Sequence, residues 1–215
     1  MKISYHRLFS FYQNNMFNLP IQTKYSLAPV LIIFVSIILA LTEPMSSDLF
    51  AYDRSQLNDF QWWRLITGHF LHTNTTHLLL NTLGLVLLWA LHGHYYKTLR
   101  YLMQFFALCL GTAIGLYLFA QQMQWYVGLS GVLHGVFIIG AYFDIRQKFK
   151  TGWIMLTGVW LKVVHEQIFG ASESVAQLIA ANVAIDAHLF GTITGSAIIL
   201  YYFVVDKTLN LIEKT

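Results

Sequence analysis

Charge is scarce in this chain. Asp, Glu, Lys and Arg together make up 11% of its 215 residues, against the roughly 25% of soluble domains. With 56% apolar residues and abundant Phe, Trp and Tyr, a water-soluble core is excluded in favour of a polytopic membrane protein. A single cysteine, Cys109, sits inside an apolar run. That excludes an intramolecular disulfide and a multi-cysteine metal site, and leaves a small packed hydrophobe. No internal repeat, low-complexity linker or second soluble domain interrupts the chain. The net charge of +3 is spread between apolar runs, so no continuous basic patch points to nucleic acid.

The apolar runs predict six helices, at about 27–41, 77–91, 100–120, 128–143, 153–169 and 186–205. Several fall at or below the roughly 20 residues that span a bilayer, and short helices thin the membrane or leave water-filled dips. A signal peptide competes for the first run, but no small-x-small cleavage site follows Leu41. The expected organisation is a cytoplasmic N-terminal segment at 1–26, a six-helix membrane domain at 27–205 and a cytoplasmic tail at 206–215. Residues 43–76 form a long polar-aromatic connection holding Trp62 and Trp63, residue types that favour the headgroup zone.

Lys and Arg set the orientation. Lys2, Arg7, Lys24, Lys97, Arg100, Arg146, Lys148, Lys150, Lys207 and Lys214 fall on one side of a six-helix topology; Arg54 and Arg64 fall on the other. Both ends are then cytoplasmic. Ser130, His77 and His188 meet near the opposite face.

Gly128-Leu129-Ser130-Gly131-Val132-Leu133-His134-Gly135 places a hydroxyl and an imidazole one turn apart at the start of an apolar helix. A plain structural account exists: glycine for the turn, serine for the cap, small residues for packing. Polar groups at bilayer depth are costly, however, and default to a functional hypothesis with a named partner. His77 and Asn81, four apart, share a helix face. Gly191 and Gly195 after His188 match Gly131 and Gly135, small-xxx-small pairs that let two helices approach closely. Packed there, Ser130 and His188 come within hydrogen-bond reach, the arrangement that activates a serine nucleophile. Asn81 and His77 can donate to the oxyanion formed when Ser130 attacks a carbonyl. Asp186 lies two residues from His188 and so does not share its face. It reads as a helix cap, which leaves a Ser–His dyad.

Trp63-Arg64, His72-xxxx-His77-xxx-Asn81, Gly128-x-Ser130-Gly131 and Ala187-His188-xx-Gly191-xxx-Gly195, in that order, resemble the rhomboid intramembrane serine proteases. The resemblance implies a six-transmembrane-helix rhomboid-like bundle, Ser130 as nucleophile and His188 as general base. It also implies an oxyanion hole of His77, Asn81 and the Ser130 backbone N–H, and peptide-bond hydrolysis near the outer membrane face. Many rhomboids carry a tyrosine one turn after the serine; here it is His134. The Gly128–Gly135 string, the compact length and Lys162-xxx-Glu166 resemble the rhombosortase branch. That branch implies a bacterial inner membrane and a site toward the periplasm. Its substrates are membrane-anchored proteins whose C-terminal tails carry Gly-Gly, an apolar helix and basic residues. The acyl-enzyme then goes either to water or to an amine acceptor. The rivals are a catalytically silent rhomboid-like protein that binds transmembrane segments and, more distantly, a small-solute transporter.

His72 fits a structural role in the first loop, His69 an interfacial loop residue, and His92 and His94 solvated positions. His134 either supports His188 or is itself the base. Lys162 and Glu166, four apart, read either as a mutually neutralising pair or as contacts for a substrate tail. No cofactor or metal is expected, since no acidic ligand is placed with His72, His77 and His188. The hydrolase elbow G-x-S-x-G fails because Val132 occupies its second glycine.

Overall fold

The computed structural model describes residues 19–212, with side chains to residue 205. Lys2, Arg7 and Lys214, part of the charge count for orientation, lie outside that range with the ends of the expected terminal segments, and the side chain of Lys207 lies outside the described side chains. The described chain is mostly helical. Its long helices are α1 (Thr23–Leu41), α5 (Thr75–His92), α6 (Thr98–Phe119), α7 (Ser130–Arg146), α8 (Lys150–Phe169) and, after the short α9 (Glu173–Ile179), α10 (Ile185–Ile212). Among the described residues, four stretches are long and apolar enough to cross a membrane: α1, Thr75–Tyr95, α6 and Ile185–Val205. Their outward faces carry Val30, Phe34, Leu87, Met103, Phe119 and Leu200, all strongly exposed, the apolar surface that lipid solvates.

The two remaining long helices differ in kind. Helix α7 has 17 residues, about 26 Å at 1.5 Å per residue, less than the roughly 30 Å hydrocarbon core. It is buried nearly all round, as expected of a helix apolar on every face, and packs against α5, α6, α8 and α10. Helix α8 carries Lys162 and Glu166 in its C-terminal half and packs on α7 and α10.

Helices α7 and α10 meet through glycine. A Cβ on Gly131 would stand 2.6 Å from the Ala187 carbonyl oxygen, one on Gly135 2.7 Å from that of Gly191, and one on Gly195 2.8 Å from the Gly135 Cα. A Cβ on Gly191 would overlap the Gly131 carbonyl outright. Only hydrogen fits at these positions, and the close approach sets the separation between Ser130 and His188.

The polar-aromatic connection is an ordered layer. It contains α2 (Met45–Phe50), β1 (Tyr52–Asp53), α3 (Arg54–Asn58) and α4 (Arg64–Thr67), and β1 pairs antiparallel with β2 (Trp125–Tyr126). Asp53 caps α3 by accepting from the Ser55 and Gln56 backbone N–H groups. Arg54 donates to the carbonyls of Leu116, Tyr117, Ala120 and Met123, placing its positive charge at the negative C-terminal end of α6. Buried Arg64 donates to the Asp48 and Ala51 carbonyls and to Gln61. Trp62 and Trp63 are half exposed, as suits interfacial tryptophans.

Cys109 is fully buried in the main core. Two histidines depart from expectation. His92 is fully buried instead of solvated: Gly140 leaves room for its ring, and its Nε2 lies 3.3 Å from Asp144 Oδ2. His69 is buried as well, because its ring is enclosed between Tyr126 and the Cys109 carbonyl of α6.

Gly191→Ala is expected to cost about 1–3 kcal/mol through overpacking, seen as a lower melting temperature in detergent. Gly158, with open space around it, is the control: Gly158→Ala should leave stability unchanged or raise it by roughly 0.5–1 kcal/mol. Equal melting temperatures for the two variants would refute the close glycine contact.

Candidate active site

The α6–α7 connection turns into α7 at Gly128, whose φ of +125° lies in a region closed to L side chains. Its N–H donates to the Gly68 carbonyl at 3.2 Å, and its own carbonyl accepts from the Tyr126 hydroxyl at 2.5 Å. His69 packs edge-on against Tyr126 with ring centroids 5.4 Å apart and donates from Nε2 to the Cys109 carbonyl at 3.0 Å. Burial holds the His69 pKa down to about 4, so at neutral pH it is an uncharged brace between the first connection and α6.

Ser130 is the first residue of α7, so its backbone N–H has no partner within the helix. Its hydroxyl donates to His188 Nε2 at 3.0 Å. The other nitrogen of that ring, Nδ1, donates to Glu166 Oε2 at 2.9 Å. Lys162 donates from Nζ to Glu166 Oε1 at 2.8 Å and to His134 Nε2 at 2.9 Å, and His134 Nδ1 donates to the Ser130 carbonyl at 2.7 Å. The imidazoles of His134 and His188 stack at 4.2 Å and 22°. A carboxylate only accepts and an ammonium only donates. The proton of His188 is therefore assigned to Nδ1 and that of His134 also to Nδ1, leaving His188 Nε2 bare in front of the serine hydroxyl.

His134, Glu166 and His188 also place three ligand-type atoms within 4.8 Å of one another, a set that zinc accepts. Lys162 Nζ lies 3.4 Å from His188 Nδ1 and, by the distances above, closer still to the other two. The ammonium thus stands as the positive charge among these three groups.

Two side chains from α5 face the Gly128 turn. A Cβ on Gly128 would lie 2.8 Å from His77 Cε1, 2.9 Å from His77 Nε2 and 3.7 Å from Asn81 Nδ2, so glycine here lets both side chains come up against the turn that carries Ser130. Asn81 Nδ2 is buried and has no hydrogen-bond partner, so its N–H groups are free to donate toward the turn. On His77, Nδ1 lies 3.0 Å from the Thr73 hydroxyl, whose own proton goes to the Ile179 carbonyl, and 3.4 Å from the Thr73 backbone nitrogen. Nε2 is left toward the turn; it donates there when Nδ1 accepts the backbone N–H or when the ring carries both protons. With the Ser130 N–H at the positive end of α7, these donors suit an oxygen that gains negative charge.

The remaining sequence candidates divide. His72 is buried and sits edge-on to His77, ring centroids 5.0 Å apart, and touches neither Ser130 nor His188. Asp186 is neither cap nor catalytic partner: it lies within the first turn of α10, and its carboxylate accepts from Gln122 Nε2 at 2.8 Å. Lys162 and Glu166 do pair, as one reading expected, but the carboxylate turns inward to His188. Sequence reasoning missed that contact, although a signal was present. A chain that descends through α7 and returns through α8 brings residue 166 back to the level of residue 130. A cavity lined by Tyr95, Gln104, Gly140 and Phe143 lies at the far end of α7 from Ser130 and includes none of these groups.

A family model described as the Rhomboid domain matches residues 59–205. Among curated proteins none matches the chain.

The idle donor of Asn81 leads to an expectation that separates function from stability. In Asn81→Leu, labelling of Ser130 by a fluorophosphonate should slow by about 10²–10³, because the phosphonyl oxygen needs the same donors. The melting temperature should hold or rise, since a buried unsatisfied group is removed. A large fall in melting temperature with unchanged labelling would make Asn81 a structural residue.

Proposed function

The chain belongs to the rhomboid family, and from that premise we propose that it is an intramembrane serine protease acting on membrane-anchored protein substrates. The observation that carries this reading is the 3.0 Å contact between Ser130 Oγ and His188 Nε2, beside a turn that Asn81 and His77 face. In the proposed reaction Ser130 Oγ attacks the scissile carbonyl carbon while its proton passes to His188 Nε2. The carbonyl oxygen becomes an oxyanion held by Asn81 Nδ2, His77 Nε2 and the Ser130 backbone N–H. Collapse expels the amine, which takes the proton back from His188, and leaves an acyl-serine. Water then repeats the sequence, or an amine acceptor does so and keeps the new C-terminus covalently joined.

The proposed setting is six spans with both ends cytoplasmic and the site toward the periplasmic face of a bacterial inner membrane. Its support is the charge distribution of the loops and the common level of Ser130, His77 and His188, at the starts of α7, α5 and α10. The short α7 supports a site set below the membrane surface, where the resemblance to rhombosortases points to C-terminal tails bearing Gly-Gly, an apolar helix and basic residues.

The test is co-expression with a reporter ending in such a tail. Wild type should release a shortened reporter. Ser130→Ala and His188→Ala should each reduce release by more than roughly 10³-fold, with unchanged amounts of folded protein. The mass of the new C-terminus separates hydrolysis from transfer. Cleavage of a helix-destabilised membrane substrate but not of the Gly-Gly tail would overturn the substrate class alone. No cleavage of either, with Ser130 inert to a fluorophosphonate, would overturn the protease reading in favour of a silent protein that binds transmembrane segments.

A further inference from the structure

We infer that Glu166 is a positioning residue for His188, so that the site works as a Ser130–His188–Glu166 relay, and that Lys162 determines which way Glu166 can act. The inference rests on the serine-protease reading for its consequence in rate, but its geometry stands on its own. Glu166 comes from α8, whereas Ser130 opens α7 and His188 opens α10, so three separate elements converge on one imidazole. Glu166 Oε2 lies 2.9 Å from His188 Nδ1, on the far side of the ring from Ser130. Its other oxygen is held at 2.8 Å by Lys162, and the carboxylate is largely shielded, its side chain 13% exposed.

A carboxylate in that place does two things. It keeps the imidazole proton on Nδ1, so that Nε2 is free to take the serine proton, and it stabilises the imidazolium formed when that proton arrives. The neighbouring groups cannot substitute. Lys162 is a donor without a lone pair, and His134 faces the ring of His188 and engages the Ser130 carbonyl instead. His77 lies against the Gly128 turn with its Nδ1 beside Thr73. Asp186, two residues from His188 in sequence, is turned to Gln122.

Lys162 gives the inference a sharp consequence. In Glu166→Gln the amide oxygen must turn to the ammonium, because the ammonium cannot accept. The amide NH₂ then faces His188 Nδ1 and donates to it. That moves the imidazole proton to Nε2, pointing it at Ser130, where it blocks proton transfer. Adding Lys162→Met frees the amide to rotate, so its oxygen can again accept from Nδ1. A residue that merely filled space would show no such reversal.

The experiment compares wild type, Glu166→Gln, Lys162→Met and the double variant by reporter cleavage, by fluorophosphonate labelling of Ser130 and by ¹⁵N resonances of the His188 ring in detergent micelles. For Glu166→Gln, kcat should fall by about 10²–10⁴ with KM within a few-fold of wild type, and the His188 proton should appear on Nε2. The double variant should recover at least tenfold over Glu166→Gln, with the proton back on Nδ1. Rates for Glu166→Gln within about threefold of wild type, or a double variant no faster than the single one with the tautomer unmoved, would overturn the inference. Were wild type itself inactive and unlabelled, the protease reading would fall, and the ¹⁵N tautomers alone would still decide whether Glu166 sets the His188 proton.

Discussion

A polar group taken out of water is costly unless it finds a partner inside the protein. In this chain that demand is met by a closed circuit. The Ser130 hydroxyl meets His188, His188 meets Glu166, Glu166 meets Lys162, Lys162 meets His134, and His134 returns to the Ser130 carbonyl. The circuit carries one formal positive and one formal negative charge, which cancel. In each of these five contacts a donor faces an acceptor. A network satisfied throughout is rigid, whereas one partly satisfied would be worse than an apolar core. The same requirement that makes these residues tolerable holds the serine and histidine in register.

The circuit can close only because α7 and α10 lie nearly backbone to backbone. Gly131, Gly135, Gly191 and Gly195 supply that approach, and without a hydrophobic force between helices in lipid, close van der Waals contact is what holds them together. Helix α8 then lays its C-terminal half across the pair. On the opposite side of Ser130 the logic is reversed: Asn81 leaves a buried donor idle, and Gly128 lets it and His77 come up against the turn. One side of the serine is satisfied at rest. The other is left unsatisfied, which on the proposed reading is where the charge of the reaction develops.

The first connection shows how the remaining polar backbone is handled. Arg54 and Arg64 draw loose carbonyls into guanidinium forks, and His69 braces the turn that carries Gly128. These side chains let an irregular segment pack on the helical bundle as an ordered layer and hold the turn before Ser130 in place.

Periodic apolar runs and sparse charge were enough to read a helical membrane protein with its helices in nearly the right places, because helix formation and lipid burial are local properties of a stretch of chain. The ordered spacing of Trp63-Arg64, His77-xxx-Asn81, Gly128-x-Ser130 and His188-xx-Gly191 likewise identified the family, and the matched glycines pointed to the helix pair that brings serine to histidine. What escaped were contacts between elements distant in sequence. Asp186 stands nearest His188 in the chain yet turns to Gln122, while Glu166, 22 residues away, supplies the carboxylate. His92, which looks like a solvated helix end, is buried on Asp144. Sequence spacing settles which residues share a face of one helix. Which faces of different helices meet depends on rotation and depth, and these are set only when all the helices pack together and every buried polar atom must find its partner.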